Sequence, residues 1–183
     1  NIPATVIEPS PRGVPELETS VLRTAVLVQL TREIEAVLRS GRTYPLNEVV
    51  LMILEAIYRG TGCDRVLFCL VDPDRLFVQA RMGIGDGAAA LTHKFSFPLS
   101  SLGAPIGPAI VERQDLFVES IRESRHGASK FASTVQATAF AFCPIVVNGL
   151  AIGGFYFDRL AGPLELDLHT KQSVLALREW GTQ

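Results

Sequence analysis

Apolar positions change their spacing four times along the chain. From Leu17 to about Arg39 they fall at 21, 22, 25 and 28 and again at 27, 30, 34, 37 and 38. These are the three- and four-residue steps of a helix, spread over so much of its circumference that one sheet face cannot bury them all. The spacing predicts a helix with two partners. Gly41 closes it, and Pro45 opens a second helix whose apolar face is Leu46, Val49, Val50, Ile53, Leu54 and Ile57, with a stop at Gly60. The run "DRVLFCLVD" is continuously apolar, as in a strand covered on both faces, and a Pro73-Asp74 turn returns the chain through "LFVQARMG" as its hairpin neighbour. "THKFSFPLS" alternates and predicts a third strand. Residues 100 to 137, with Pro105, Gly107 and Pro108 and short helical stretches near 106–113 and 120–133, form a long irregular excursion, a feature that in compact domains usually serves function. "AFAFCPIVVNGLAIGGFYFDR" (139–159) gives two apolar runs joined by Asn148-Gly149, and a last helix is predicted from Leu164 to about Trp180.

The order helix, helix, hairpin, strand, irregular cap, hairpin, helix predicts an α+β three-layer sandwich: a central antiparallel sheet with the terminal helices on one face and an irregular helical cap on the other. Residues 1–16, which include the Pro-rich "EPSPRGVPE", are expected to be a linker, 17–43 an N-terminal helix suited to dimerisation, and 44–183 the main domain.

The last hairpin admits two registers. A two-residue type I′ turn at Asn148-Gly149 pairs Val147 with Leu150 and sets Phe140, Phe142, Phe155 and Phe157 on one face, large against large. A turn with Gly149 as a bulge pairs Val146 with Leu150, so that Ala139 meets Phe157, Ala141 meets Phe155 and Cys143 meets Gly153. Large then opposes small, which fills space evenly, and this register is preferred. It places Thr138, Phe140, Phe142, Gly154, Tyr156 and Asp158 on one face, and polar groups among aromatics on a covered face need partners.

Composition narrows the function. The 183 residues carry a formal charge of −2 and no dense Lys/Arg run, so nucleic acid is not an expected partner. No apolar run approaches the roughly 20 residues of a membrane span, and the N-terminus lacks the pattern of a signal peptide. Cys63, Cys69 and Cys143 give neither an even disulfide framework nor a paired metal spacing and suit a reducing, cytoplasmic setting. His93, His126 and His169 are dispersed, which predicts no metal site. "GIGDG" lacks the Lys and the strand-to-helix context of a phosphate loop, and no serine sits in a nucleophile elbow. The expectation is a non-enzymatic domain without a cofactor. Because the chain starts at Asn1, it is read as part of a longer polypeptide.

With "GCDRVLFCLVDPDR" after the second helix and "CPIVVNGLAIGGFYFDR" before the last, residues 44 to 180 resemble a GAF domain, the small-molecule sensor module of signalling proteins. "PLNEVVLMILEAIYRG", "DRVLFCLVDPDR" and "GGFYFDR" are most similar to the GAF domains appended to HDOD-containing bacterial signalling proteins. The resemblance implies a ligand cavity between sheet and cap lined by Leu67, Cys69, Arg122, Phe131, Thr138, Phe140, Phe142, Tyr156 and Asp158, with Arg122 opposite Asp158 as polar anchor or as an internal ion pair. It further implies a homodimer through the terminal helices and a covalently linked output domain outside this chain. The cyclic-nucleotide signature of the family is absent from "DRLAGPLELDLHTK". The cap also lacks the cysteine of bilin-binding members and the several cysteines of GAF-type methionine sulfoxide reductases. Two readings lead: a sensor that binds an unknown small molecule or signals through dimer geometry, and a GAF scaffold with a collapsed cavity. A thiol redox enzyme or sensor is a minor third.

Overall fold

Residues 16–100 and 104–180 are described by a computed structural model. Its elements are α1 (Glu16–Arg39), α2 (Leu46–Thr61), β1 (Arg65–Val71), β2 (Phe77–Gly85), α3 (Ala88–Lys94), β3 (Ser96–Pro98), α4 (Ile106–Glu112), β4 (Leu116–Val118), α5 (Lys130–Val135), β5 (Ala139–Val147), β6 (Leu150–Arg159) and α6 (Leu168–Trp180). The strands form one antiparallel sheet in the order β3-β2-β1-β6-β5-β4. The predicted linker, up to residue 15, lies outside the described residues.

Two cores sandwich this sheet. On one face Leu27 and Ile34 of α1, Val50, Ile53, Leu54 and Ile57 of α2, and Val174 and Leu177 of α6 pack against Val66, Ala141, Cys143, Phe155 and Phe157. On the other, α3, α4 and α5 supply Leu91, Ile106, Ile110 and Phe131 over Leu67, Cys69, Phe140, Phe142 and Tyr156. The three-layer arrangement is the one the element order predicts. Helix α1 packs on both α2 and α6, as its broad apolar circumference requires.

Several boundaries differ from the sequence reading, each for a local reason. The second helix runs through Gly60 to Thr61 and is capped by Gly62 in the left-handed region. A Cβ on Gly60 would lie 2.5 Å from that of Leu27, so this glycine marks where α1 and α2 cross closely. Helix α3 takes residues read as strand, leaving β3 only three residues long. The stretch 120–133 is a series of turns that becomes helical only at Lys130, and Leu116–Val118 adds an unpredicted edge strand against β5. The last helix begins at Leu168, and Leu164 is buried in the irregular connection before it.

The β5–β6 hairpin joins the tight turn of the first register to the face assignment of the second. Asn148 (φ 49°) and Gly149 (φ 77°) make the tight turn with Val147 opposite Leu150. A bulge then shifts the register between Ile145 and Val146, so that Cys143 faces Phe155, Ala141 faces Phe157 and Phe142 faces Tyr156. The expected pairing is therefore corrected by one residue at the tip, where Val147 and not Val146 faces Leu150, and by two beyond the bulge, where the even shift keeps the same faces. Phe140, Phe142, Gly154, Tyr156 and Asp158 share the cap side, while small residues oppose large ones on the helix side. The tight turn supplies the twist, and the bulge restores the interleaving.

Beyond the bulge, β6 is squeezed onto β1: a Cβ at Gly153 would sit 2.1 Å from the carbonyl oxygen of Cys69. We expect Gly153→Ala to lower stability by about 1–3 kcal/mol or more, since backbone must move. Gly162→Ala, where φ is +79° and the space is open, should cost only the left-handed strain of about 1–2 kcal/mol. Urea midpoints at constant slope measure both, and a Gly153→Ala variant within about 0.5 kcal/mol of the native protein, as for an ordinary exposed position, would contradict the close β1–β6 approach.

Candidate functional site

The polar centre beneath the cap is built on Asp158, whose carboxylate is fully buried near the end of β6. The register of β1 against β6 sets Arg65 directly opposite it. Arg65 Nε donates to Asp158 Oδ1 at 3.0 Å and Nη2 to Oδ2 at 2.5 Å, a two-point fork from a side chain that is only 8 % exposed. The Tyr156 hydroxyl donates to Oδ2 from two residues away at 2.6 Å. Arg65 Nη2 also donates to the Val135 carbonyl at the end of α5, at 2.5 Å. One guanidinium therefore neutralises the buried acid and ties the cap to the sheet.

A second ring of contacts fixes the same end of the sheet. Asp64 N donates to the Asp158 carbonyl, and Asp64 Oδ2 accepts from Leu160 N at 2.7 Å and pairs with Arg159 at 3.3 Å. Arg159 Nη1 donates to the Gly62 carbonyl at the C-cap of α2, at 2.8 Å. Thus Arg65 and Asp158 connect to the cap, and their sequence neighbours Asp64 and Arg159 connect to the helical layer.

Burial pushes the Asp158 carboxyl above its ordinary value, against the hydrogen bonds of Arg65 and Tyr156 that hold it down. Burial and then the Asp158 charge push the Tyr156 phenol well up. Burial alone would make the Arg65 guanidinium a weaker base, but its hydrogen bond and charge contact with Asp158 outweigh that and hold its proton more tightly.

Aromatic side chains fill the space around this centre. Tyr156 lies 4.9 Å from Phe95, 5.8 Å from Phe140 and 6.2 Å from Phe131 between ring centroids, and Phe131 lies 4.9 Å from Phe140. Phe97 extends the cluster. Of the residues expected to line a cavity, Leu67, Cys69, Phe131, Phe140, Phe142 and Tyr156 come together in this core, with Asp158 at its polar end. Two do not join them. Thr138 is exposed and its hydroxyl donates to the carbonyls of Arg159 and Gly162. Arg122 is exposed on the outer side of the cap and lines an open groove there, so the expected Arg122–Asp158 pairing is replaced by Arg65–Asp158. Arg65 had a readable sign: in a strand of period two it shares a face with Leu67 and Cys69.

The three cysteines are buried and free. Burial, eased a little by a Thr61 hydrogen bond, pushes the Cys63 thiol up to about 12, and burial pushes Cys69 and Cys143 upward as well. Such thiols are poor nucleophiles at neutral pH. No group of three or more His, Cys, Asp or Glu side chains suited to a metal ion occurs among the described residues, and none of the described helices is long and apolar enough to cross a membrane.

The family model for the GAF domain matches residues 45–177, and the chain belongs to that family. Solved structures agree on the fold. The GAF domain of a phosphoenolpyruvate-protein phosphotransferase from Acinetobacter superposes with a TM-score of 0.67 at 12% identity, covering 88% of this chain and 90% of that one. Residues 122 to 287 of a methyl-accepting chemotaxis protein give 0.64 at 20% identity, with coverage of 86% and 94%. The free methionine-R-sulfoxide reductase from Neisseria meningitidis, solved with its substrate, gives 0.64 at 15% identity, with coverage of 97% and 92%. No curated protein matches the chain.

Two outcomes follow from this geometry. Arg65→Ala leaves a carboxylate buried without its cation and should cost roughly 3–5 kcal/mol, much of it restored by adding Asp158→Asn. Arg122→Ala should stay within about 0.5 kcal/mol of the native value, as for an ordinary exposed position. Thermal or urea unfolding of the three variants decides, and a large loss on Arg122→Ala with none on Arg65→Ala would contradict the assigned pairing. The thiols give the second outcome. Their folded values lie above the ordinary 9.0, so the unfolded chain releases these protons first; the stability they contribute is present below about pH 9 and lost as pH rises beyond it. An aromatic disulfide reagent at neutral pH should label all three only at the rate of unfolding, and fast labelling of any pair in the native protein would return redox chemistry to consideration.

Proposed function

We infer that this chain is the non-enzymatic regulatory domain of a bacterial signalling protein, that its cap-side interior is closed, and that it passes its signal through the arrangement of its terminal helices. GAF domains are sensor and regulatory modules, and the finer reading rests on one observation. The space beneath the cap is occupied by Phe95, Phe131, Phe140, Phe142 and Tyr156, each at most 1 % exposed, while Asp158 spends its hydrogen-bonding capacity on Arg65 and Tyr156. A ligand pocket usually offers unfilled apolar wall and a few polar groups free to reach the ligand. Here both are used internally.

The helical layer supports the output half of the reading. Helix α1 leaves Val21 66% and Leu22 62% exposed, and Val26 39%, next to a shallow groove of about 560 Å³ formed with Asp167 and His169 at the start of α6. An apolar stripe of this kind fits a second copy of the same helix in a symmetric bundle. The output belongs to a covalently linked domain, for which an HDOD domain is the candidate favoured by "PLNEVVLMILEAIYRG" and "GGFYFDR". Three free buried thiols accord with a reducing, cytoplasmic location.

Light scattering at micromolar concentration should give a homodimer, and the pair Leu22→Glu with Val26→Glu should give a folded monomer. A native chain that stays monomeric, or a variant that stays dimeric, would contradict the proposed interface.

A further inference from the structure

The outer side of the cap is irregular in backbone yet firmly stapled. From Ile121 to Ser129 the chain runs through successive turns. Ser124 Oγ donates to the Ile121 carbonyl at 2.7 Å and accepts from His126 N at 3.2 Å. Ser129 Oγ donates to the His126 carbonyl at 2.6 Å and accepts from Ala132 N at 3.2 Å. Gly127 closes the fold-back: a Cβ there would meet the Arg122 carbonyl oxygen at 2.8 Å. The segment is anchored to the sheet at one end by Ile121 N donating to the Thr138 carbonyl, and at the other by Arg65 holding the Val135 carbonyl.

This frame carries an open groove of about 590 Å³, lined among others by Ile121, Ala132 and Ala137 and by Arg122, Lys130 and Ser133. Its lining includes two cations and no carboxylate. Among the described residues neither Arg122 nor Lys130 is in an ion pair, although Glu119 and Glu123 occur in the same stretch. Arg125 adds a third positive charge nearby. Its Nε donates to His126 Nε2 at 3.2 Å, and burial together with the Arg125 charge holds the imidazole below its ordinary value, so the ring stays neutral at physiological pH.

Surface cations ordinarily find acids or move freely in water. Here Arg122 is set on a loop whose hydroxyls and glycine fix its path, and Lys130 on the first residue of α5 that Ser129 caps, beside the apolar side chains of Ile121, Ala132 and Ala137. We propose that this groove is a binding site for a small phosphate-bearing metabolite, with the Arg122 guanidinium gripping the phosphate oxygens as a fork, the Lys130 ammonium supplying a second charge, and the Ile121–Ala132–Ala137 patch receiving the organic part. The site lies outside the packed interior, so it stands or falls independently of whether that interior is closed.

The test is a two-dimensional NMR titration of the whole chain with inorganic phosphate, glycerol phosphate and citrate, each against chloride at equal ionic strength. Expected are saturable shifts of the amides from 121 to 137 with phosphate and glycerol phosphate, the ester binding more tightly. The variant Arg122→Gln with Lys130→Gln, exposed at both positions, should keep its melting temperature and bind roughly tenfold or more weakly, as expected when charge-assisted hydrogen bonds are lost. Shifts that chloride reproduces, shifts that persist in the variant, or saturation by citrate but not by phosphate would each overturn the assignment.

Discussion

Burying the charge of Asp158 is the constraint on which the rest of this domain depends. A carboxylate with no access to water needs a cation and its lone pairs satisfied, or the fold must bear several kcal/mol. Arg65 supplies two hydrogen bonds and Tyr156 a third. That solution requires β1 and β6 to be neighbours in one register, since Arg65 reaches Asp158 only from the directly opposing position. It also requires the end of α5 to lie above the pair, because Arg65 Nη2, besides holding Asp158, donates to the Val135 carbonyl. One charge thus specifies a strand pairing and the seat of the cap.

The apolar packing follows from the same geometry. With Asp158 and Tyr156 facing the cap, the parity of β6 sends Phe155 and Phe157 to the helices, where Cys143 and Ala141 leave room for them. The bulge near the tip lets a tightly twisted turn coexist with that interleaving. On the cap side Phe131 from α5 drops between Phe97, Phe140 and Tyr156, and the volume that could hold a ligand is taken up by rings. The proposed signalling route uses the apolar stripe of α1, and the proposed phosphate site uses the cationic groove outside the cap. Both connect to the Asp158 end of the sheet, the first through the Arg159–Gly62 contact at the α2 cap and the second through α5.

Much of this was legible in the residues. Continuous apolarity marked β1, the two periods separated helices from strands, and the order of elements gave the layers. Asp158 and Tyr156 stood out as polar residues in an apolar run, and the size alternation of β5 and β6 gave the correct faces. Pairing did not follow, because parity tolerates a shift by two and the bulge is settled by the turn and the neighbouring strand together. Leu116–Val118 was missed because three residues carry no periodicity, and α3 because its seven residues pass into a strand without a break. Arg122 was assigned inward on the strength of its place in the cap. Hydroxyl staples turn that segment outward, and no spacing rule encodes such a path. For Arg65, the first residue of β1, period two gives the face it shares with Leu67 and Cys69, but not the partner, which depends on the strand opposite.

Rings and a satisfied ion pair occupy the interior beneath the cap. Xenon occupies dry apolar cavities in proteins, so xenon-pressurised crystals of the native chain compared with Phe131→Ala test it most directly. No xenon is expected beside Tyr156 in the native protein, and a bound atom is expected in the cavity that the truncation opens, with the Arg65–Asp158 pair unchanged in both. Xenon beside Tyr156 in the native chain would contradict the packed interior.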